Sequence, residues 1–272
     1  MLLDARNMEY TALNEAIRNT DSEIEIINCL GQRFIGAGSS NQDIQIHGIP
    51  GNALGAYLNG ARITVHSNAQ DAVGDTMNAG RIVIHGSIGD AAGYAMRGGE
   101  IYVQGNAGYR AGIHMKEYKD KVPVIVIGGC AGSFLGEYQA GGIIIVLGLN
   151  KMGKRIVHNF PCTGMHGGKL ILRGDCSELV FPSQVSARTA TEEDMELIKK
   201  YVEEYCALFG TDARQILDSP FTVISPDSSN PYKQMYVANL SRKQVVRYEV
   251  HTGGSHAVYP GGGREVHSAG IL

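Results

Sequence analysis

No apolar run in this chain is long enough to cross a bilayer: the longest aliphatic stretch, Ile143–Leu147, falls far short of the ~20 residues a spanning helix needs. Strong charge of either sign is missing too, since 24 basic and 27 acidic residues leave a net −3. That excludes a nucleic-acid-binding tail and a polybasic membrane patch. The start, Met1-Leu2-Leu3-Asp4, lacks the basic-then-apolar order of a secretion signal. Cys29, Cys130, Cys162, Cys176 and Cys206 are odd in number, scattered, and without a CxxC pair. Reduced thiols in the cytoplasm are the expectation. Glycine, by contrast, is abundant at 36 residues and follows no collagen triplet, which directs attention to internal repeats.

The repeat is explicit. Ile44-Gln45-Ile46-His47-Gly48 recurs as Ile63-Thr64-Val65-His66-Ser67, Ile82-Val83-Ile84-His85-Gly86 and Ile101-Tyr102-Val103-Gln104-Gly105. These four starts are 19 residues apart. Further copies begin at Val124, Ile144 and Leu170, and Ile24 opens a plausible first one. Structural turn glycines keep step: Gly48, Gly51 and Gly55, then Gly86, Gly89 and Gly93, then Gly128, Gly132 and Gly136. Nothing between strands is long enough for a crossover helix, so a doubly wound sheet is excluded. Short alternating strands that cannot bury their own apolar face must stack. The fold expected is all-β: a right-handed parallel β-helix of about eight coils with 19-residue turns.

The two-residue period assigns the first and third strand residues to the interior. This reading places Ile44/Ile46, Ile63/Val65, Ile82/Ile84, Ile101/Val103, Val124/Val126, Ile144/Val146 and Leu170/Leu172 inside. Outward positions begin polar (Gln45/His47, Thr64/His66) and become apolar (Ile125/Ile127, Ile145/Leu147). Such a patch needs a cover. Thr191-Glu192-Glu193-Asp194 is a helix start, and Met195, Ile198, Val202, Tyr205 and Phe209 then form one stripe. That helix is the preferred cover, with a partner protein as the rival. The domain plan is a capping helix within 1–22 (Tyr10, Leu13 and Ile17 on one face), a β-helix over 23–185, a helical segment over 186–220, and an extension over 221–272. In the extension, 244–250 reads as a lone strand and 252–263 as a flexible glycine-rich tail. Two insertions, His114–Lys121 and Met152–Gly168, interrupt the repeat.

Several motifs invite chemistry. Gly36-Ala37-Gly38-Ser39-Ser40-Asn41 resembles a dinucleotide turn, but a strand follows where a helix is required. His47, His66 and His85 repeat on successive coils, and a straight ladder converges poorly on one metal ion, so a polar ladder is expected. Cys162 near His166 suggests a nucleophile, with ordinary turn chemistry preferred. The paired carboxylates of glycan-cleaving enzymes do not recur. A left-handed β-helix metalloenzyme would need six-residue repeats, which are absent.

The stretches Gly31–Gly36, Gly51–Ala56, Asn68–Gly74, Gly93-Tyr94-Ala95-Met96-Arg97-Gly98-Gly99, Gly112–Tyr118 and Gly164-Met165-His166-Gly167-Gly168 resemble the third domain of the glutamate synthase large subunit, the GXGXG domain, over roughly residues 1–220. The same β-helix unit is found as a separate polypeptide within formylmethanofuran dehydrogenases. The amidotransferase cysteine, the FMN barrel and the iron–sulfur cysteines of the larger enzyme have no counterpart here, which resembles a stand-alone form. The resemblance implies a scaffold with no catalytic residue, cofactor or metal of its own. FMN and iron–sulfur centres would sit on partners, namely amidotransferase-like and FMN-barrel synthase-like subunits, and a homo-oligomer of this chain is a further expectation. The insertion residues His114, Met115, Lys116, Glu117, Tyr118, Met165 and His166 are the expected partner contacts.

Overall fold

The computed structural model describes residues 1–21 and 23–228. Eight strands run parallel, one per coil: β2 (Glu23–Leu30), β3 (Asp43–Ile49), β4 (Asn59–Val65), β5 (Ala79–Ile84), β6 (Glu100–Val103), β7 (Val124–Ile127), β8 (Ala140–Val146) and β9 (Gly167–Arg173). Each pairs with the next in chain order, as a β-helix requires. The 19-residue period appears directly in the register, with Ile44 on Ile63, Ile63 on Ile82 and Ile82 on Ile101.

Register corrects one inward assignment. Ile101 pairs with Ile125, and Ile125 with Ile144, so Ile125 and Ile127 lie in the interior column. Val124 and Val126 face outward. A one-residue slip exchanges the faces of a strand, and the longer fifth coil, between β6 and β7, shifts β7 against the simple repeat. The remaining inward pairs stand. A second interior row comes from the turns, where Leu58, Met77, Met96, Met115, Gln139 and Met165 follow one another and are buried.

Three turn positions per coil adopt left-handed φ. The middle one is Gly55, Gly74, Gly93, Gly112 and Gly136, each donating its N–H to the coil before. Cys162 takes that place in the seventh turn at φ 61°. Among the other turn glycines expected to be structural, a Cβ on Gly48, Gly51, Gly86, Gly89 or Gly132 would overlap the preceding coil, and one on Gly128 would overlap Tyr205.

Both ends are closed. β1 (Leu2–Asp4) adds a short parallel strand to β2, and α1 (Tyr10–Arg18) buries Leu13 and Ile17. The sequence predicted the helix and missed β1, because three residues are too few to show alternation. At the far end, β10 (Val185–Thr189) and β11 (Phe221–Pro226) join antiparallel in the order β9-β11-β10. Residues 221–226 are thus part of the sheet, where an extension was expected. Pro220 precedes a strand there instead of ending a domain. The expected strand 244–250 and tail 252–263 lie outside the described residues.

The outer apolar face is covered by α2 (Glu192–Phe209), which the short α3 (Ala213–Leu217) follows. Ile198, Tyr201, Val202, Tyr205 and Cys206 pack on Val124, Val126, Ile143, Ile145, Leu147 and Ile171. A capping box between Thr191 and Asp194 starts α2, and Gly210 in the left-handed conformation ends it. Asp194 also ties the helix to the sheet through Lys169, at 2.9 Å, and Arg188. Burial pushes its carboxyl up, but hydrogen bonds from Arg188, Lys169 and Thr191 outweigh this and hold it well below the usual carboxylate range. A depressed folded-state value stabilises the protein above the unfolded carboxylate's pKa of about 4, and the contribution is lost as pH falls from there through the folded value. Asp194→Asn should therefore lower the melting temperature at pH 7, with the gap to wild type narrowing below about pH 4. A gap independent of pH would mean that these ion pairs do not anchor α2.

Candidate partner-contact face

The outermost row of left-handed turn residues runs Tyr57, Thr76, Ala95, His114 and Tyr138. Left-handed backbone turns these side chains out of the coil, so successive rungs stack them. The His114 ring lies 5.2 Å from Tyr138 at an interplanar angle of 7°, with Tyr94 edge-on at 6.0 Å. Beside it runs a second row, in which Tyr109, Phe134 and Phe160 have centroids 5.2 Å apart at each step. Arg110 lies over the Tyr109 and Phe134 rings and pairs at 2.7 Å with Glu137, whose carboxylate is almost wholly buried. Tyr94, Tyr109, Tyr138 and Phe160 remain exposed. Tyrosine, phenylalanine and arginine are residue types enriched at protein interfaces, and tyrosine and arginine among those that carry their binding energy.

The first insertion is a tight hairpin closed by two hydrogen bonds between Tyr118 and Lys121, each 3.1 Å. His114, Lys116, Glu117 and Tyr118 are exposed on it, and Glu117 also accepts from the Gly142 N–H at 2.9 Å. Met115 and Met165, expected at the surface, belong to the interior row and are buried. His166 is half-buried, its Nδ1 3.0 Å from the Gly164 carbonyl. Tyr138 links the insertions: its ring stacks on His114 and occupies the space that a Cβ on Gly164 would fill. The aromatic rows are not visible in the sequence because the insertions break their 19-residue spacing. Counting two residues either side of the middle turn position would have found Arg110, His114, Phe134, Tyr138 and Phe160, though not Tyr94 or Tyr109.

The other motifs resolve into structure. Gly36 and Gly38 form a turn leading into β3, with no helix after it. His47, His66 and His85 stack at 4.5 and 5.3 Å and end edge-on against Phe209. Burial first, then the charges of His47 and His85, push His66 below the ordinary histidine value. Among the described residues, no three His, Cys, Asp or Glu side chains are grouped to hold a metal ion. Cys162 is buried in its turn and its thiol is pushed up to about 12 by that burial, the opposite of an activated nucleophile. No helix of the described residues is long and apolar enough to cross a membrane.

Residues 4–226 match the model of the GXGXG motif family. An uncharacterized protein of Methanocaldococcus jannaschii is 45% identical over 254 residues, covering 88% of this chain and 97% of that protein. Among solved structures, a chain of the formyltransferase/hydrolase complex FhcABCD from Methylorubrum extorquens, crystallised with methylofuran, superposes with a TM-score of 0.53. The match covers 81% of this chain and 88% of that one at 20% identity, a likeness of fold.

Proposed function

Because this chain belongs to the GXGXG motif family, the β-helix domain type of the glutamate synthase large subunit, we propose that it is the non-catalytic scaffold subunit of a glutamate-synthase-type complex. Its work is positional. It braces an amidotransferase-like subunit, which releases ammonia from glutamine, against an FMN-barrel subunit that delivers the nitrogen to 2-oxoglutarate. FMN and iron–sulfur centres belong to those partners, and the setting is cytoplasmic. The observation that carries this reading is the exposed aromatic and arginine face, joined across both insertions by Tyr138, on a rod whose interior is filled by aliphatic side chains.

Affinity purification from the native cell tests it. The wild-type chain should bring down amidotransferase-like and flavoprotein subunits and form no glutamate by itself. Replacing 114–121 or 152–168 with a tight glycine turn should abolish that capture. Tyr138→Ala should weaken it by tenfold or more, as truncating a central interface aromatic costs about 2 kcal/mol or more. Undiminished capture by well-folded variants would remove this face from the interface. The fold likeness to a chain of a formyltransferase/hydrolase complex favours a second reading, a β-helix subunit of a formylmethanofuran dehydrogenase-like complex. Mass spectrometry of the captured proteins separates the two.

A further inference from the structure

A cleft of about 460 Å³ opens beside the second insertion, at the corner where three consecutive coils meet. Gly108 and Gly132 contribute no side chain to it, Asn106 and Tyr109 line it from one coil, and Cys130 and Ser133 from the next. Asn150, Lys154 and His158 come from the chain between β8 and β9. We propose that this cleft binds a small oxyanion, the phosphate or carboxylate group of a soluble metabolite.

The hydrogen bonds already made around the cleft favour an anion. Part of the backbone here is already used: Gly132 N–H donates to Ala107 and Gly108, and His158 N–H to Ala131. Asn106 Oδ1 accepts from Cys130 N–H at 2.8 Å, and Ser133 Oγ accepts from Asn159 N–H at 3.3 Å. The side-chain donors that remain are the Asn106 and Asn150 amide N–H groups, the Ser133 hydroxyl proton, the Lys154 ammonium and the His158 ring. Among the described residues, neither Lys154 nor His158 has an ion-pair or hydrogen-bond partner for its side chain, and no carboxylate lines the cleft. Donors without acceptors, a cation and a concave wall suit an oxyanion and disfavour a metal ion. The electrostatics agree. Burial pushes the Cys130 thiol up, and the positive charges of Lys151 and Lys154 act against that rise.

Cys130 also supplies the readout, because it is half-exposed while the other four cysteines are buried. Native protein would be alkylated with iodoacetamide, a neutral reagent, with and without inorganic phosphate or succinate at constant ionic strength. The expected result is that one or both anions slow Cys130 modification at least threefold, and that isothermal titration gives saturable binding. The effective anion identifies the group recognised. A Lys154→Gln/His158→Asn variant, its melting curve checked against wild type, should lose the protection and bind at least tenfold more weakly. Equal protection by sodium chloride, or protection unchanged in the double variant, would overturn the proposal. The purified chain alone suffices, so the outcome is independent of the scaffold reading.

Discussion

Ile84→Asp should yield no folded protein. Ile84 lies wholly buried between Val65 below and Val103 above in the interior column. A buried aliphatic side chain stabilises by about 1.5–3 kcal/mol, and an unpaired carboxylate in its place adds a desolvation penalty of several kcal/mol. Against a total stability of roughly 5–15 kcal/mol, that loss is decisive. The column offers no basic residue to pair with the new charge. The substitution also falls mid-stack, where each coil depends on its neighbours. The variant should accumulate as insoluble protein and show no cooperative melt, whereas Ile84→Val should cost only about 0.5–1.5 kcal/mol. A soluble Ile84→Asp protein with a sharp thermal transition would refute the core assignment.

The second large effect concerns the helix cover. Ile198 is fully buried between α2 and the outer apolar face. Ile198→Asp removes the centre of that contact but leaves the interior column untouched. The expected phenotype is therefore partial: the β-sheet circular dichroism signal persists, while α2 detaches and bares Val124, Val126, Ile143, Ile145 and Ile171. Limited proteolysis should cut within 192–209 at least tenfold faster, and a hydrophobic dye should bind strongly. Cleavage at the wild-type rate would show that the face is held by something other than this helix. Loss of all structure would show that helix and solenoid fold as one unit.

These two substitutions mark where the sequence was readable. Ile84 sits in the uninterrupted series 44, 63, 82, 101, where period and register coincide, and its inward placement followed from alternation alone. α2 was readable from its capping residues and apolar stripe. At β7 the reading failed by one residue: Val124-Ile125-Val126-Ile127 is apolar on both faces, so alternation could not choose, and the preceding insertion removed the count that would have. β10 and β11 were missed because they pair antiparallel with a solenoid otherwise built in parallel, a reversal without a local signature. Of the expected contact residues, His114, Lys116, Glu117 and Tyr118 emerged on the surface. Met115 and Met165 are interior because the turn row beside them is itself a buried ladder, a periodicity carried by methionine in place of isoleucine.

The closed ends have a further consequence. With eight parallel rungs at about 4.8 Å spacing, the rod measures roughly 34 Å from β2 to β9, and α1 at one end and the antiparallel β11–β10 pair at the other stand in place of a further coil. Length is thus written into the chain as an integer. An ancestor that gained or lost one 19-residue copy would have become a ruler with a different number of divisions, displacing whatever is mounted at either tip by a fixed increment.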